Sequence, residues 1–361
     1  MMEMYPLESI TIEQAMNKQF KLVECIMHNF SGYESLTRGD LGVHQPENMP
    51  LATLKAERAI AEFFDAEACI LVRGSGTGAI RYGLSSIAKC NSKVLVHDAP
   101  IYSTTTSSFE MLGLIPVYAN YNDLEDIKRV LKENDDIVAG LVQYSRQKPD
   151  DSYDMETVVK TIKDLKYIPI LTDDNYAVMK VNKIGYECGA DLSCFSTFKL
   201  QGPEGIGCVV GKKEYIDKIR KYHYSGGCQT QGFEALEVLR GLIYAPVMLA
   251  ITAKVGEEVL ERLNNGEVSG IKQAFIANAQ SKVLLIEFNE PIAKEVLAKS
   301  EKLGTLPHPV GSESKYEIEP LFYRVSGTFL KNDPRLADYM IRVNPNRAGA
   351  DTIINILKEC I

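Results

Sequence analysis

Seven short apolar runs, separated by stretches of helical periodicity, constrain this chain more than any other feature. They are ACILV (68–72), KVLVH (93–97), LIPVYA (114–119), IVAGLVQY (137–144), YIPILT (167–172), LSCFST (192–197) and IGCVVG (206–211). Continuous apolar runs of this length suit strands buried on both faces. Amphipathic segments between the earlier runs, such as AIRYGLSSIAKC and DMETVVKTIKDL, read as crossover helices. The alternation predicts an α/β architecture, a mainly parallel seven-stranded sheet covered by helices on both faces. The last two runs are joined by LQGPEG, too short for a helical crossover, so that pair is expected to be antiparallel.

The flanks read differently. Residues 1–50 look like a helical arm followed by a polar extended loop, SLTRGDLGVHQPENMP, and LATLKAERAIAEFFD then has helical spacing. From about 232 a long helical stretch begins, GFEALEVLRGLIYAPVMLAITAKVGEEVLERLN, with a kink expected near Pro246. Beyond it SKVLLIEF, EPLFYRVSGTF and DYMIRVNP read as strands of a smaller α+β unit, closed by a helix in GADTIINILKECI. The expected organisation is an arm and loop over 1–50, a large domain over 51–250 and a small C-terminal domain over 251–361, with a soft boundary between 245 and 275.

Composition excludes several function classes. A net charge of −8 argues against a nucleic-acid partner, because phosphate backbones call for clustered Lys and Arg. Eight cysteines without a C-x-x-C pair suit reduced thiols, and five dispersed histidines give no H-E-x-x-H spacing, so no metal site is expected. The amino terminus carries acids early and lacks the apolar stretch of a signal peptide. With no run of about eighteen apolar residues in view, a cytoplasmic protein without a membrane span is expected.

Four segments carry candidate chemistry. GSGTGA (74–79) lies between a strand and a helix, where glycines allow a sharp turn and free N–H groups attract phosphate; Thr77 can add a hydroxyl donor. The same letters fit a dinucleotide fingerprint, with Asp98 where a ribose-binding acid would stand, and they also fit a turn with no ligand. Asp173 ends the strand YIPILT, at the edge where α/β ligands bind; a carboxylate there can hold a protonated ring nitrogen, or merely cap a turn. Lys199 follows an apolar strand and precedes a Gly/Pro loop, with no other charge from Asp191 to Glu204, an unusual setting for a solvated lysine. Arg342, inside the strand-like DYMIRVNP, offers a planar fork for a carboxylate or an ordinary surface ion pair.

Taken in order, these segments resemble the fold-type I pyridoxal-phosphate (PLP) enzymes, of the aspartate-aminotransferase-like fold, over nearly the whole chain. STFKLQGPEGIGCVVGKKE is similar to the lysine segment of selenocysteine synthases, which implies that Lys199 holds the cofactor as a Schiff base. TDDNYAV resembles the D-x-x-[YFH] segment that binds the pyridine ring, with Asp173 as its partner. HDAPIYSTT places Tyr102 where cystathionine synthases and lyases stack a tyrosine on the ring, and IRVNPN places Arg342 on the substrate carboxylate. The resemblance further assigns Ser75, Gly76, Thr77 and Ser196 to the cofactor, and Arg38 in SLTRGD to the cofactor phosphate of a neighbouring subunit. At whole-chain level LTDDNYAVMKV, PVGSESKYEIEPLFYR and IRVNPNRAGA resemble a bacterial group called YhfS-type. Such families imply an amino-acid substrate and a homodimer, or a dimer of dimers, with shared active sites.

The resemblance extends to class V aminotransferases, but one segment departs from the better-known aminotransferases. Where they carry N-P-[TL], this chain reads QYSRQKPDDSY, so the usual Asn at the ring hydroxyl is absent and Arg146 or Gln147 stands there. Arg146 adds a cation for an acidic or phosphorylated substrate, or is a solvated loop residue. The resemblance thus implies elimination or replacement, a lyase or transferase of amino-acid metabolism. An aminotransferase is the nearest alternative, and an NAD(P)-dependent oxidoreductase using GSGTGA the alternative from another class.

Overall fold

Each of the seven apolar runs forms a strand in the computed structural model, which describes residues 4–99, 102–146, 148, 150–277, 282–311, 313–325, 330 and 333–361. The strands are β1 (Ala68–Arg73), β2 (Lys93–His97), β3 (Ile115–Ala119), β4 (Ile137–Gln143), β5 (Ile170–Asp173), β6 (Leu192–Ser196) and β7 (Ile206–Gly211). They make one sheet in the order β1-β7-β6-β5-β4-β2-β3. Pairs from β6 through to β3 are parallel, while β7 runs antiparallel to both β6 and β1. The antiparallel pair expected from LQGPEG is therefore present, and β7 is the reversed strand. Burial explains the composition: every residue of β5, β6 and β7 is buried.

Helices α1 (Ile12–Asn29) and α2 (Leu51–Phe63) precede the sheet. The crossovers are α3 (Ser75–Ile87), α4 (Ser103–Leu112), α5 (Leu124–Glu133) and α6 (Met155–Leu165); α7 (Lys213–Tyr222) follows β7. Ala79, Ile80 and Leu84 of α3 pack on Val72, Val94, Leu141, Leu171 and Val209 of the sheet, which fixes α3 across its centre. Two of these helices lie outside the sequence-based expectations in part. α4 has the sequence STTTSSFEML, whose Ser and Thr residues favour turns on their own, and α3 begins inside the glycine segment rather than after it.

α8 (Gly232–Asn264) continues past Pro246 as one helix. Contrary to the expectation from apolar runs, one 18-residue window here reaches a mean hydropathy of 1.5, enough by length and composition for a membrane span. Of that window 61% is buried inside the protein, as in core helices. The chain divides into two compact units at Pro246: Glu13–Ser145 with Ser152–Pro246, and Val247–Ile361 with Met1–Ile12 and Arg146–Asp151.

The second unit is built on an antiparallel sheet, β10-β11-β9-β8, from β8 (Ile271–Ile276), β9 (Leu284–Phe288), β10 (Leu321–Arg324) and β11 (Met340–Asn344). Alternate residues of β9 (Leu284, Ile286 and Phe288) and of β11 (Ile341 and Val343) face a core shared with α9 (Ala293–Lys302) and α10 (Ala350–Cys360). Strand β8, IKQAFI, was not among the expected strands; its polar alternation and edge position give it little apolar signal.

Candidate active site

The candidate site lies at the carboxyl ends of β5 and β6 and the start of α3. After β1 the chain reverses through Gly74 and Ser75, whose φ angles of 98° and 58° lie in the left-handed region. Both of their N–H groups donate to the carbonyl of Gly205, at 2.8 and 3.0 Å, so the loop after Lys199 holds the start of α3 in place. No side chain caps this helix. The N–H groups of Gly76 and Thr77, second and third in α3, have no carbonyl within the helix to bond, and they form a ready anion site. Ser75 adds a hydroxyl that meets the Ser196 hydroxyl at 2.7 Å.

Lys199 sits on a single 3-10 turn, Phe198–Leu200, between β6 and β7. The turn is tied by Leu200 and Gly202 N–H groups donating to Thr197 O, both at 2.9 Å, and by the Thr197 hydroxyl donating to Ile206 O, also at 2.9 Å. Gly241 of α8 packs so closely on the backbone of Leu200–Gly202 that a Cβ there would come within 2.6 Å of it. The lysine is thus carried by a rigid, buttressed turn. Its Nζ lies 3.7 Å from the centre of the Tyr176 ring, a cation–π contact.

Asp173 closes β5 and is buried. Its Oδ1 accepts hydrogen bonds from the Asn175 N–H at 3.1 Å and from Asn175 Nδ2 at 2.7 Å. Among the described residues no other donor reaches this carboxylate. Burial pushes its carboxyl above the usual carboxylate range, while the Asn175 bonds and the Lys199 charge pull it back down. Asp174, next in the chain, faces the other way. Its Oδ2 accepts from the Gly185 N–H at 3.0 Å, and burial pushes its carboxyl up to about 7 against its bonds to Ser193, Gly185 and Thr172. The alternation of a strand decides which acid can meet a ligand.

Other predicted residues fall in different places. Tyr102 is the residue before α4, with 37% of its surface exposed. Arg38 is exposed and has no hydrogen bond to this cluster among the described residues. Arg146 is buried rather than solvated, and its Nη1 donates to Asp151 O at 3.1 Å. Gln147 lies outside the described residues. Arg342, in the smaller unit, stacks 4.0 Å from the centre of the Tyr323 ring and donates through Nε to Arg324 O at 2.8 Å. Asp98 follows β2 and pairs at 3.3 Å with buried His97. Two neighbours of Lys199 and Asp173 were not singled out from sequence, Asn175 and Tyr176, although the D-x-x-[YFH] pattern contained the second.

A cavity of about 410 Å³ opens elsewhere, lined by Met49, Thr53, Glu57, Arg220, His223 and Gln229 among others. Its buried acid is already satisfied by the ion pair of Glu57 with Arg220 at 2.8 Å, and it shares no residue with the cluster around Lys199.

Residues 48–265 match the family of Cys/Met metabolism PLP-dependent enzymes, and residues 257–357 match the YhfS-like C-terminal domain. The uncharacterized protein YhfS of Escherichia coli is 52% identical over 360 residues, 100% of this chain and 99% of that one. The crystal structure of the pyridoxal-5'-phosphate-dependent YhfS from Escherichia coli superposes with a TM-score of 0.97 over 99% of both chains. A methionine gamma lyase from Micromonospora echinospora, CalE6, has the same fold at 15% identity, with a TM-score of 0.72 over 95% of this chain and 98% of that one. A carbon-sulfur lyase from Clostridium novyi has it at 18% identity, with a TM-score of 0.72 over 96% and 90%. The cluster fits PLP in its own right. It holds a buried carboxylate with an oxygen left over, an amine on a rigid turn and an uncapped helix start. At Gly76 there is no room for even a Cβ, which would stand 2.5 Å from Asn175 Oδ1.

Proposed function

Because this chain belongs to the family of Cys/Met metabolism PLP-dependent enzymes, we propose that it is a lyase or transferase that eliminates or replaces a side-chain group of an amino acid. The observation that carries the reading is the convergence of Lys199, Asp173 and the start of α3 at one strand edge, inside the matched segment. The lyases among its structural neighbours support the choice of branch, as does the absence of the N-P-[TL] segment.

When bound, PLP supplies an electron-accepting ring that stabilises a carbanion next to the substrate nitrogen. Lys199 Nζ would hold the cofactor covalently and, once displaced by the substrate amine, would be the base for the proton at the substrate α-carbon. Asp173 keeps the ring nitrogen protonated through a charge-assisted hydrogen bond. Gly76 and Thr77 N–H groups, with the Ser75 hydroxyl, bind the phosphate, and Ser196 orients Ser75. Tyr102 keeps its proposed place on the ring, and Arg342 and Arg146 their proposed roles on the substrate, from the family resemblance.

A homodimer fits the surface. Met16, Phe20, Val23 and Met27 recur on one face of α1 and are all exposed, with Leu36 and Leu41 exposed on the loop that carries Arg38. An apolar stripe of this kind marks a protein interface. It supports the reading of Arg38 as a residue given to the neighbouring site.

The test is borohydride reduction of the PLP-loaded protein followed by peptide mass analysis, and then incubation with amino acids bearing a leaving group at the β- or γ-carbon. The expected result is a pyridoxyl mass on Lys199, absent in Lys199→Ala, with release of ammonia and a 2-oxo acid while PLP stays intact. Conversion of the cofactor to pyridoxamine phosphate in step with the oxo acid would replace this reading with an aminotransferase.

A further inference from the structure

Asn175 stands where three elements meet, and each of its side-chain atoms has a different task. Its Nδ2 donates to Asp173 Oδ1 at 2.7 Å, from the end of β5. Its Oδ1 accepts the N–H of Ser196 at 3.0 Å, at the end of β6. Its carboxamide also fills the space over Gly76, so that a Cβ on Gly76 would lie 2.5 Å from Oδ1 and 2.8 Å from Nδ2. Ser145 after β4 donates to its carbonyl at 3.1 Å, fixing the backbone as well. The orientation of the amide is dictated by these partners, since a carboxylate needs a donor and an N–H needs an acceptor.

We propose that Asn175 is a positioning residue for the cofactor, engaging one oxygen of Asp173, leaving the other for the ring nitrogen, and setting the spacing between that acid and the phosphate site of α3. The proposal rests on the reading of Asp173 as the ring partner. Physically, a lone buried carboxylate tends to take up a proton, and a protonated acid cannot hold a pyridinium. The two bonds from Asn175 oppose that tendency without supplying a charge that would compete with the ring. The charged or titratable groups around Asp173 are Lys199 on the turn, Asp174 next in the chain, Cys194 opposite on β6 and Tyr176; Gln143 faces it from β4. Of these only Lys199 favours ionisation, so loss of Asn175 moves Asp173 toward the neutral acid.

The experiment measures PLP affinity by equilibrium dialysis of the full-length apo protein across neutral pH, with apo melting temperature as a folding control. Four proteins are compared: wild type, Asn175→Ala, Asn175→Asp and Asp173→Asn. Asn175→Asp keeps the acceptor that Ser196 uses and replaces the donor by a second carboxylate facing Asp173, so it reverses the contact to Asp173 while leaving the contact to Ser196 in place. Both Asn175 variants are expected to bind PLP about tenfold more weakly near pH 7, a bond to a charged group being lost; Asn175→Ala should weaken further as pH falls, whereas Asn175→Asp should recover as its new acid takes a proton and donates to Asp173. Wild type should change less over the same range than Asn175→Ala, since both share the titration of Lys199, and Asp173→Asn should be weak throughout. If Asp173→Asn is weak while folded Asn175 variants titrate like wild type, the positioning role is overturned and the ring partner stands. If Asp173→Asn binds like wild type, the ring-partner reading falls and the role of Asn175 falls with it.

Discussion

At each end of strands β5 and β6 an acid, a lysine and a tyrosine come together, the amino-edge lysine Lys212 arriving from the end of β7, and the two groups behave in opposite ways. At the amino edge Asp191 is buried and fully engaged, with Lys212 Nζ at 2.6 Å, Lys163 Nζ at 2.9 Å and the Ile170 N–H at 2.8 Å. Lys212 also donates to the Tyr167 hydroxyl at 2.9 Å, and these bonds to Asp191 and Tyr167 push its ammonium well above the usual lysine range. At the carboxyl edge Asp173 takes its donors from Asn175 alone among the described residues, and Lys199 Nζ lies over the face of the Tyr176 ring. The same residue types are closed upon themselves in one trio and open in the other. A buried acid whose oxygens are taken by resident cations holds the fold together, whereas one that keeps an oxygen at the site holds it ready for a ligand. Parallel sheets place ligands at the carboxyl edge, and the open trio is found there.

Exchanging the two acids is the strongest way to break this comparison. Asp191→Ala strands Lys163, Lys212 and the Ile170 N–H, and should cost about 3–5 kcal/mol in urea unfolding of the apo protein, as removal of one member of a buried pair does. PLP affinity of the protein that remains folded should not change. Asp173→Asn should do the reverse. Apo stability near pH 8 should hold or rise, because an acid whose ionisation burial opposes has been removed, while PLP affinity falls about a hundredfold, roughly 3 kcal/mol. Equal losses of stability in both variants would show that the two trios are alike after all.

Of this contrast only Asp173 and Lys199 at the carboxyl edge were legible in the sequence; the amino-edge cluster of Asp191, Lys163, Lys212 and Tyr167 was not, and the unread part has a common cause. Lys199 and Asp173 stand out because each ends an apolar strand, a signal local enough to read along the chain. The seven strands were legible for the same reason, since burial on both faces writes a continuous apolar run. Asn175 was not legible: its importance lies in reaching Gly76 and Ser196, distant in sequence, and an Asn after two Asp residues reads as a turn. Helix α4 hides behind Ser and Thr, and strand β8 behind Lys and Gln, because in both cases packing rather than composition decides the element. From sequence, the adjacent acids Asp173 and Asp174 both end one strand; only its pleat assigns one to the site and the other to the interior.

Asp174 supplies a pH test that sharpens the comparison from within the carboxyl edge. Burial holds its carboxyl up at about 7, so the folded chain keeps a proton that the unfolded chain loses near 3.8. The stabilisation from this proton is complete below about pH 4 and is lost as pH rises through about 7. Between about pH 5 and about pH 8 the apo protein should therefore lose about 3 kcal/mol through this group, read as a falling urea midpoint. Asp174→Asn, which cannot release a proton, should flatten the slope and leave PLP affinity near wild type. A wild-type midpoint that rises over the same interval would mean that Asp174 is ionised in the folded chain throughout.

The smallest effects separate the two tyrosines. At the amino edge the hydroxyl matters, so Tyr167→Phe should cost about 0.5–1 kcal/mol of stability and leave PLP binding untouched. At the carboxyl edge the ring matters: Tyr176→Phe keeps the face on which Lys199 rests, and Tyr176→Leu removes it. A ring face attracts an amine head group of this kind by about 0.5–2 kcal/mol, and the lysine must leave it before it can take the cofactor. Stopped-flow capture of PLP by the apo protein at neutral pH should accordingly run several-fold faster in Tyr176→Leu and at the wild-type rate in Tyr176→Phe. If Tyr176→Phe instead changes the rate as much as Tyr176→Leu, the hydroxyl is the working part at both edges, and the two trios differ only in whether the acid is closed.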